Sequence, residues 1–210
     1  MQNYSVSSLL SKTDPGIASG CMNDFSLTEA DLRVALALFM EHRPTRVLEF
    51  GVNEGNTAAF LLTHCDFIED YIGVDLLPEL FPNRGIVPKK AGWRVGDDRR
   101  YMSILTNETV EDFHFKMTSE GVFDAIIMDA NHEDWATKRD TEACWDYLKP
   151  GGICLWHDYG VESRQHSNGR PFSLMGYIDY LIISGRRIMT PNDLPRDPWK
   201  CCSLAWEIKK

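Results

Sequence analysis

Apolar and polar positions fall into blocks of two kinds. The first is a short, mostly apolar run that stops abruptly: Val47-Leu48-Glu49-Phe50, Tyr71-Ile72-Gly73-Val74, Trp93-Arg94-Val95, Phe123-Asp124-Ala125-Ile126-Ile127-Met128 and Ile153-Cys154-Leu155-Trp156. Such runs, bounded by turn residues, predict buried strands. The second kind predicts helices. Ser26-Leu27-Thr28-Glu29 is a capping-box pattern that opens an amphipathic segment ending before Pro44. Further helices are expected from Thr57 to Leu62, about Trp135 to Leu148 and about Phe172 to Ser184, the second of these stopped by Lys149-Pro150-Gly151-Gly152. Strand and helix alternate through Asp158, which calls for a parallel sheet. Two last strands are expected near Arg187–Met189 and Ser203–Ile208, joined by 191–198. Residues 1–25, rich in Ser, Asn and Gly, predict an irregular N-terminal arm, leaving 26–210 as one domain without repeats. The polar stretch 159–171 lacks periodicity and is expected to overhang the strand ends.

The sharpest local signal is Glu49-Phe50-Gly51-Val52-Asn53-Glu54-Gly55-Asn56-Thr57. An apolar strand meets two glycines four apart, then a polar residue and a helix. Gly51 allows a sharp turn off the strand, and Gly55 allows backbone to approach a ligand. The helix that follows begins with N–H groups aimed at that ligand. The spacing is not the G-x-G-x-x-G of dinucleotide sites. A carboxylate at Glu49 would repel a pyrophosphate. It suits a ligand with a cationic group and ribose hydroxyls. S-adenosylmethionine has both, and Glu49, Gly51, Asn53, Gly55 and Thr57 are expected to hold its methionine end.

The other strand tips extend the pattern. Asp75 lies 20 residues after Gly55, the place for a carboxylate that grips a ribose diol. Asp97 or Asp98, after the expected third strand, is expected to take the adenine amino group. The fourth strand ends in Asp129 and the fifth in His157-Asp158. Open α/β sheets bind ligands at this edge.

In order and spacing these motifs resemble the class I S-adenosylmethionine-dependent methyltransferases, from about Ser26 to the C-terminus. "EFGVNEGNT" resembles the first motif of small-molecule O-methyltransferases of the macrocin and catechol types. "FDAIIMDANHEDWATKRDTEACWDYLKPGGICLWHDYG" resembles their fourth-to-fifth-strand segment. The resemblance implies a Rossmann-like fold: a seven-stranded, mostly parallel sheet, an antiparallel C-terminal strand and helices on both faces. It also implies catalysis at two tips. Metal-dependent members place an Asp after strand four and an acidic or amide pair after strand five. Here Asp129 matches the first position, and His157-Asp158 or Asp158-Tyr159 would supply the pair. The ligand set implied for a divalent metal, Mg or Mn, is therefore Asp129, His157 and Asp158. A lysine base of the catechol-type enzymes is matched in position by His132. An imidazole, titrating near neutrality, is suited to accept a hydroxyl proton. Asp129 orients the acceptor, and His157 is a second candidate base.

Composition narrows the partners. The 210 residues carry a formal net charge of −9, and 43% are hydrophobic. An acidic chain is poorly matched to a phosphate backbone, so a small-molecule acceptor is expected rather than nucleic acid. No apolar stretch is long enough for a membrane span. Six cysteines without CxxC spacing, and no leader pattern, point to reduced thiols in a cytoplasm. Trp135, Trp145 and Trp156 are expected in the core. A homo-oligomer is compatible with this reading. The function expected is methyl transfer to a hydroxyl of a small molecule. N-methylation of a small amine without metal, and a non-catalytic cofactor-binding protein of the same fold, stand as alternatives.

Overall fold

The computed structural model describes residues 6–18, 27–77, 91–107, 122–159, 174–190 and 202–210. Among these residues the helices are α1 (Val6–Leu10), α2 (Glu29–His42), α3 (Asn56–His64), α4 (Asp134–Trp145) and α5 (Leu174–Ile183). The strands are β1 (Arg46–Phe50), β2 (Asp70–Leu76), β3 (Tyr101–Thr106), β4 (Phe123–Met128), β5 (Leu148–Trp156) and β6 (Ala205–Ile208). They form one sheet in the order β3-β2-β1-β4-β5-β6. All neighbours are parallel except β5 and β6. This is the expected Rossmann-like α/β fold, with six strands among the described residues rather than seven. The stretch near Arg187–Met189 makes only an isolated bridge, Met189 to Trp206.

Period-2 alternation explains the layers. Val47, Tyr71, Ala125, Ile127, Ile153 and Leu155 face one core, shared with α2 and α3. Leu48, Phe50, Ile72, Val74, Ile126, Met128 and Trp156 face the other, shared with α4 and α5. Both faces are covered, so the central strands read as continuous apolar runs.

Three local expectations change. Trp93–Val95 is a 3₁₀ turn, not a strand. The third strand is Tyr101–Thr106, whose exposed and half-buried positions alternate with buried ones only at its end, so its apolar signal is weak. The helix expected to reach Leu148 ends at Trp145, and the Lys149–Gly152 stretch expected to stop it lies within β5 as an irregularity: Phe123 pairs with Leu148 and Ala125 already with Ile153. The N-terminal stretch expected to be irregular contains α1, with Leu9 and Ala18 fully buried in the α2-side core. Arg33 ties it down by donating to Leu10 O (2.7 Å) and Thr13 O (3.1 Å). The 160–171 part of the overhanging stretch and the 191–198 connection lie outside the described residues. Cys65, Cys144, Cys154 and Cys202 are free and buried. Among the described residues no helix is long and apolar enough to cross a membrane.

Candidate active site at the strand tips

Strand order reverses between β1 and β4, and the tips at that switch point carry the candidate residues. β1 runs into Gly51, whose φ is +81°. Its N–H donates to Val74 O (2.9 Å), and a Cβ there would lie 2.1 Å from Asp129 O. Only glycine lets the turn pass so close to the β4 tip. Asn53, also left-handed with φ +51°, donates its N–H to Asp75 Oδ2 (2.6 Å), and Leu76 N–H donates to Asp75 Oδ1 (2.7 Å). Asp75 thus braces the turn. Gly55 is the N-cap of α3 in the left-handed region and, having no side chain, makes no side-chain cap. Its close neighbour is chain rather than open space: a Cβ would meet Gly92 Cα at 2.7 Å. Gly92 N–H donates to Asn53 O and Arg94 N–H to Glu54 O, both 2.9 Å. The 3₁₀ turn therefore buttresses the glycine turn. Thr57 is buried in the first turn of α3.

Glu49 is 1% exposed and accepts from Tyr71 OH at 2.9 Å. Burial pushes its carboxyl well above the usual carboxylate range; the Tyr71 hydrogen bond opposes this, and the charges of Asp129 and Asp75 add to it. A neutral buried carboxyl poised to ionise suits a site that receives a cation.

Asp97 and Asp98 do not follow the third strand. They precede β3, whose first residue, Tyr101, pairs with Tyr71 near the start of β2. Four residues of strand, roughly 13 Å, separate that level from Asp75. Asp98 is clamped by Arg100 (Nε–Oδ1 3.0 Å, Nη2–Oδ2 2.6 Å). The expectation that this pair ends the third strand is therefore corrected: the strand begins after them.

At the other tips, Asp129, His132, His157 and Asp158 do come together. Asp129 N–H donates to Phe50 O (2.8 Å) and His157 N–H to Met128 O (3.0 Å), so backbone pairing locks the tips side by side. His132 Nε2 lies 3.5 Å from Asp158 Oδ2 and 3.9 Å from Asp129 Oδ1, with its side chain 17% exposed. Asp158 is 3% exposed and adopts φ +64°, a conformation uncommon outside glycine and found at functional sites. His157, 4% exposed, places Nδ1 2.6 Å from Asp129 Oδ1 and Nε2 3.3 Å from Asp31 Oδ2. A cleft beside these groups is lined by Asn131, His132, Thr137, Asp140 and His157.

The residues implied as a metal set lie together here, with His157 at their centre. A ring nitrogen must offer a lone pair to ligate a metal, and both His157 nitrogens face carboxylates. Burial alone would lower its pKa, but the charges of Asp129 and Asp158 and the contacts to Asp129 and Asp31 outweigh it and hold it well above the ordinary value. Nδ1 takes the hydrogen bond with Asp129, and Nε2 makes none. Among the described residues no three His, Cys, Asp or Glu side chains form a metal-binding group.

Two residues escaped sequence reasoning. Asp31 caps α2 with Thr28, so the capping box is Thr28–Asp31 rather than Ser26–Glu29. The T-x-x-D ahead of an apolar run was the available signal. Trp135, expected in the core, is 58% exposed, its indole N–H donating to Glu133 Oε2 and Arg139 lying over its ring at 5.4 Å.

Comparison with known proteins adds the family. A family model described as a methyltransferase domain matches residues 48–159, more than half of the chain. The chain belongs to this methyltransferase family. Among curated proteins none matches it. Three solved structures show how far the shared fold extends. The O-methyltransferase TomG from Streptomyces achromogenes, in complex with SAM, aligns at TM-score 0.63 and 11% identity, covering 100% of this chain and 92% of that one. The Bacillus cereus O-methyltransferase in complex with SAH gives 0.62 and 11%, with the same coverage. The SAH-bound methyltransferase PaMTH1 from Podospora anserina gives 0.62 and 16%, covering 98% and 86%. The matched segment begins in β1 and ends at Tyr159, so it contains the glycine turn and both tips that hold His132 and Asp158.

Proposed function

We propose that this methyltransferase moves the methyl group of S-adenosylmethionine to a hydroxyl of a small molecule, with His132 as general base. The observation that carries the reading is the placement of His132: partly exposed at the β4 tip, beside a cleft, and backed by the carboxylates of Asp158 and Asp129. As the imidazole takes a proton, those two carboxylates stabilise the charge it acquires. Asp129, fixed by His157, orients the acceptor.

The cofactor's supporting residues fit. The uncapped start of α3 suits the carboxylate of its methionine end. Buried Glu49 suits its positive charge, and Asp75 its ribose diol. When bound, the cofactor supplies an electrophilic methyl for in-line displacement. The chain's part is to align the acceptor and remove its proton. The reading does not call on a metal. The net charge of −9 supports a small acceptor over nucleic acid, and four buried free thiols accord with a reducing cytoplasm.

The test is incubation with deuteromethyl-labelled cofactor and parallel panels of small hydroxyl and amine compounds, read by mass. Labelled ethers or esters are expected. His132→Gln should lower kcat by about 10²–10⁴-fold while cofactor affinity stays within a factor of a few. Transfer to amines alone, or a His132→Gln rate equal to wild type, contradicts the proposal.

A further inference from the structure

Glycines close around one hydroxyl beneath the glycine turn. A Cβ at Gly73 would lie 2.6 Å from Tyr101 Oη and 2.5 Å from Val52 Cγ2, and a Cβ at Gly92 would overlap the same Tyr101 oxygen. Gly92 in turn lies against Gly55. Side chains at Gly73 and Gly92 would fill the space the phenol takes. The Tyr101 ring is partly buried, but its hydroxyl oxygen is enclosed and makes no hydrogen bond. A buried hydroxyl without a partner costs free energy and calls for an explanation.

The register of the sheet shows what lies beside it. Glu49, Gly73 and Ser103 pair in one row across β1, β2 and β3, so their positions share the face that looks toward α2 and α3. Gly73 leaves a gap in that row. Tyr101, paired with Tyr71 two residues earlier on β2, reaches up into the gap. Neighbouring strands lie about 4.8 Å apart, which places Tyr101 Oη within the span of the Glu49 side chain. Glu49 gives Oε2 to the Tyr71 hydroxyl at 2.9 Å, and the Tyr71 and Tyr101 rings are 6.1 Å apart between centroids. Burial, then the charges of Glu49 and Asp75, hold the Tyr101 hydroxyl above the usual tyrosine range, so it remains a donor. On the other side of the gap, Ser103 Oγ is also buried without a partner. A carboxylate is the stronger acceptor of the two neighbours, and as an anion it accepts several donors, of which Tyr71 supplies one.

We propose that Tyr101 is a positioning residue for Glu49: when the cationic end of S-adenosylmethionine is bound, the Tyr101 hydroxyl donates to the Glu49 carboxylate and, with Tyr71, holds it beneath the glycine turn. Gly73 and Gly92 are small because this hydroxyl must reach Glu49 across β2. The inference rests on the cofactor reading above and adds to it a residue that acts through Glu49 rather than on the cofactor.

Two measurements on the intact protein test it, with Tyr101→Phe, which removes the hydroxyl alone. Calorimetric titration with S-adenosylmethionine should show the variant binding roughly 10–100-fold more weakly than wild type, the worth of a hydrogen bond to a charged group. Its Tm without cofactor should be no lower than that of wild type, because the lost hydroxyl had no partner. A purely structural tyrosine predicts the reverse, and a fall in Tm of more than about 3 °C overturns the proposal. In a Glu49→Gln background, Tyr101→Phe should change the affinity by less than about threefold, since contacting residues are coupled; an equal loss in both backgrounds overturns it. If wild type binds S-adenosylmethionine and Tyr101→Phe binds it as tightly, this inference alone fails. If wild type does not bind it, the cofactor reading fails and takes the inference with it.

Discussion

Glu49 shows how far a single residue can be read. Its position, an acid two residues before a glycine at a strand end, is plain in the sequence, and it marks the ligand edge of the sheet. Its state is not, because that depends on Tyr71, brought alongside only when β1 and β2 pair. The carboxyl is fully buried, which favours its neutral form. The sign of the consequence is definite. Between the usual carboxylate pKa and the raised folded value, the folded state binds more protons than the unfolded, so stability falls as pH rises through that window. Glu49→Gln removes this dependence and keeps an acceptor for Tyr71 OH. It should stabilise the ligand-free protein by about 1–3 kcal/mol near neutrality, or ~2–4 °C of Tm per kcal/mol. The gain over wild type should grow from pH 4 towards pH 7. A difference in Tm that stays flat with pH, or a loss, would show that Glu49 is ionised in the empty site. Asp31 was less legible than Glu49: nothing local tells that a helix-capping acid will meet a histidine at the far end of the fold.

At the scale of elements, legibility followed burial. β1, β2, β4 and β5 are covered on both faces and stand out as apolar runs. β3 is an edge strand with Met102 51% exposed, and its polar Ser103 and Thr106 weaken the pattern. The more apolar Trp93–Val95 next to it is a 3₁₀ turn because it packs against the glycine turn instead of the sheet. α1 was missed for a related reason. Its Ser-rich sequence has little periodicity, and it is held by α2, with Arg33 reaching across to it. The glycine turn itself was correctly located, but half of its purpose was internal: Gly51 clears the β4 backbone and Gly55 clears Gly92. A paired substitution separates the two costs of replacing such a glycine. Gly51 and Gly185 both have positive φ, but a Cβ at Gly185 meets nothing within 4 Å, whereas at Gly51 it meets Asp129 O at 2.1 Å. Gly185→Ala should cost about 1 kcal/mol. Gly51→Ala should cost at least ~2 kcal/mol more, from overlap that displaces the β4 tip, and should depress turnover as well. Equal losses of Tm in the two variants would mean that the turn has room to relax and does not fix Asp129.

For the whole molecule, the decisive feature is topology. Two apolar cores sandwich the sheet, the order reverses between β1 and β4, and the only edge where the chain gathers Glu49, Asp75, Asp129, His132 and Asp158 is the one where those strands end. An α/β sheet of this order binds its ligand there, and a family match from β1 to the end of the fifth-strand tip covers that edge. The glycine spacing is not that of a dinucleotide site. The most direct test is calorimetric titration of the intact protein with S-adenosylhomocysteine, with NAD in parallel. The account predicts saturable one-to-one binding of S-adenosylhomocysteine, weakened by about 1.5–3 kcal/mol in Asp75→Ala, and no saturable heat with NAD. Binding of NAD without S-adenosylhomocysteine would contradict it.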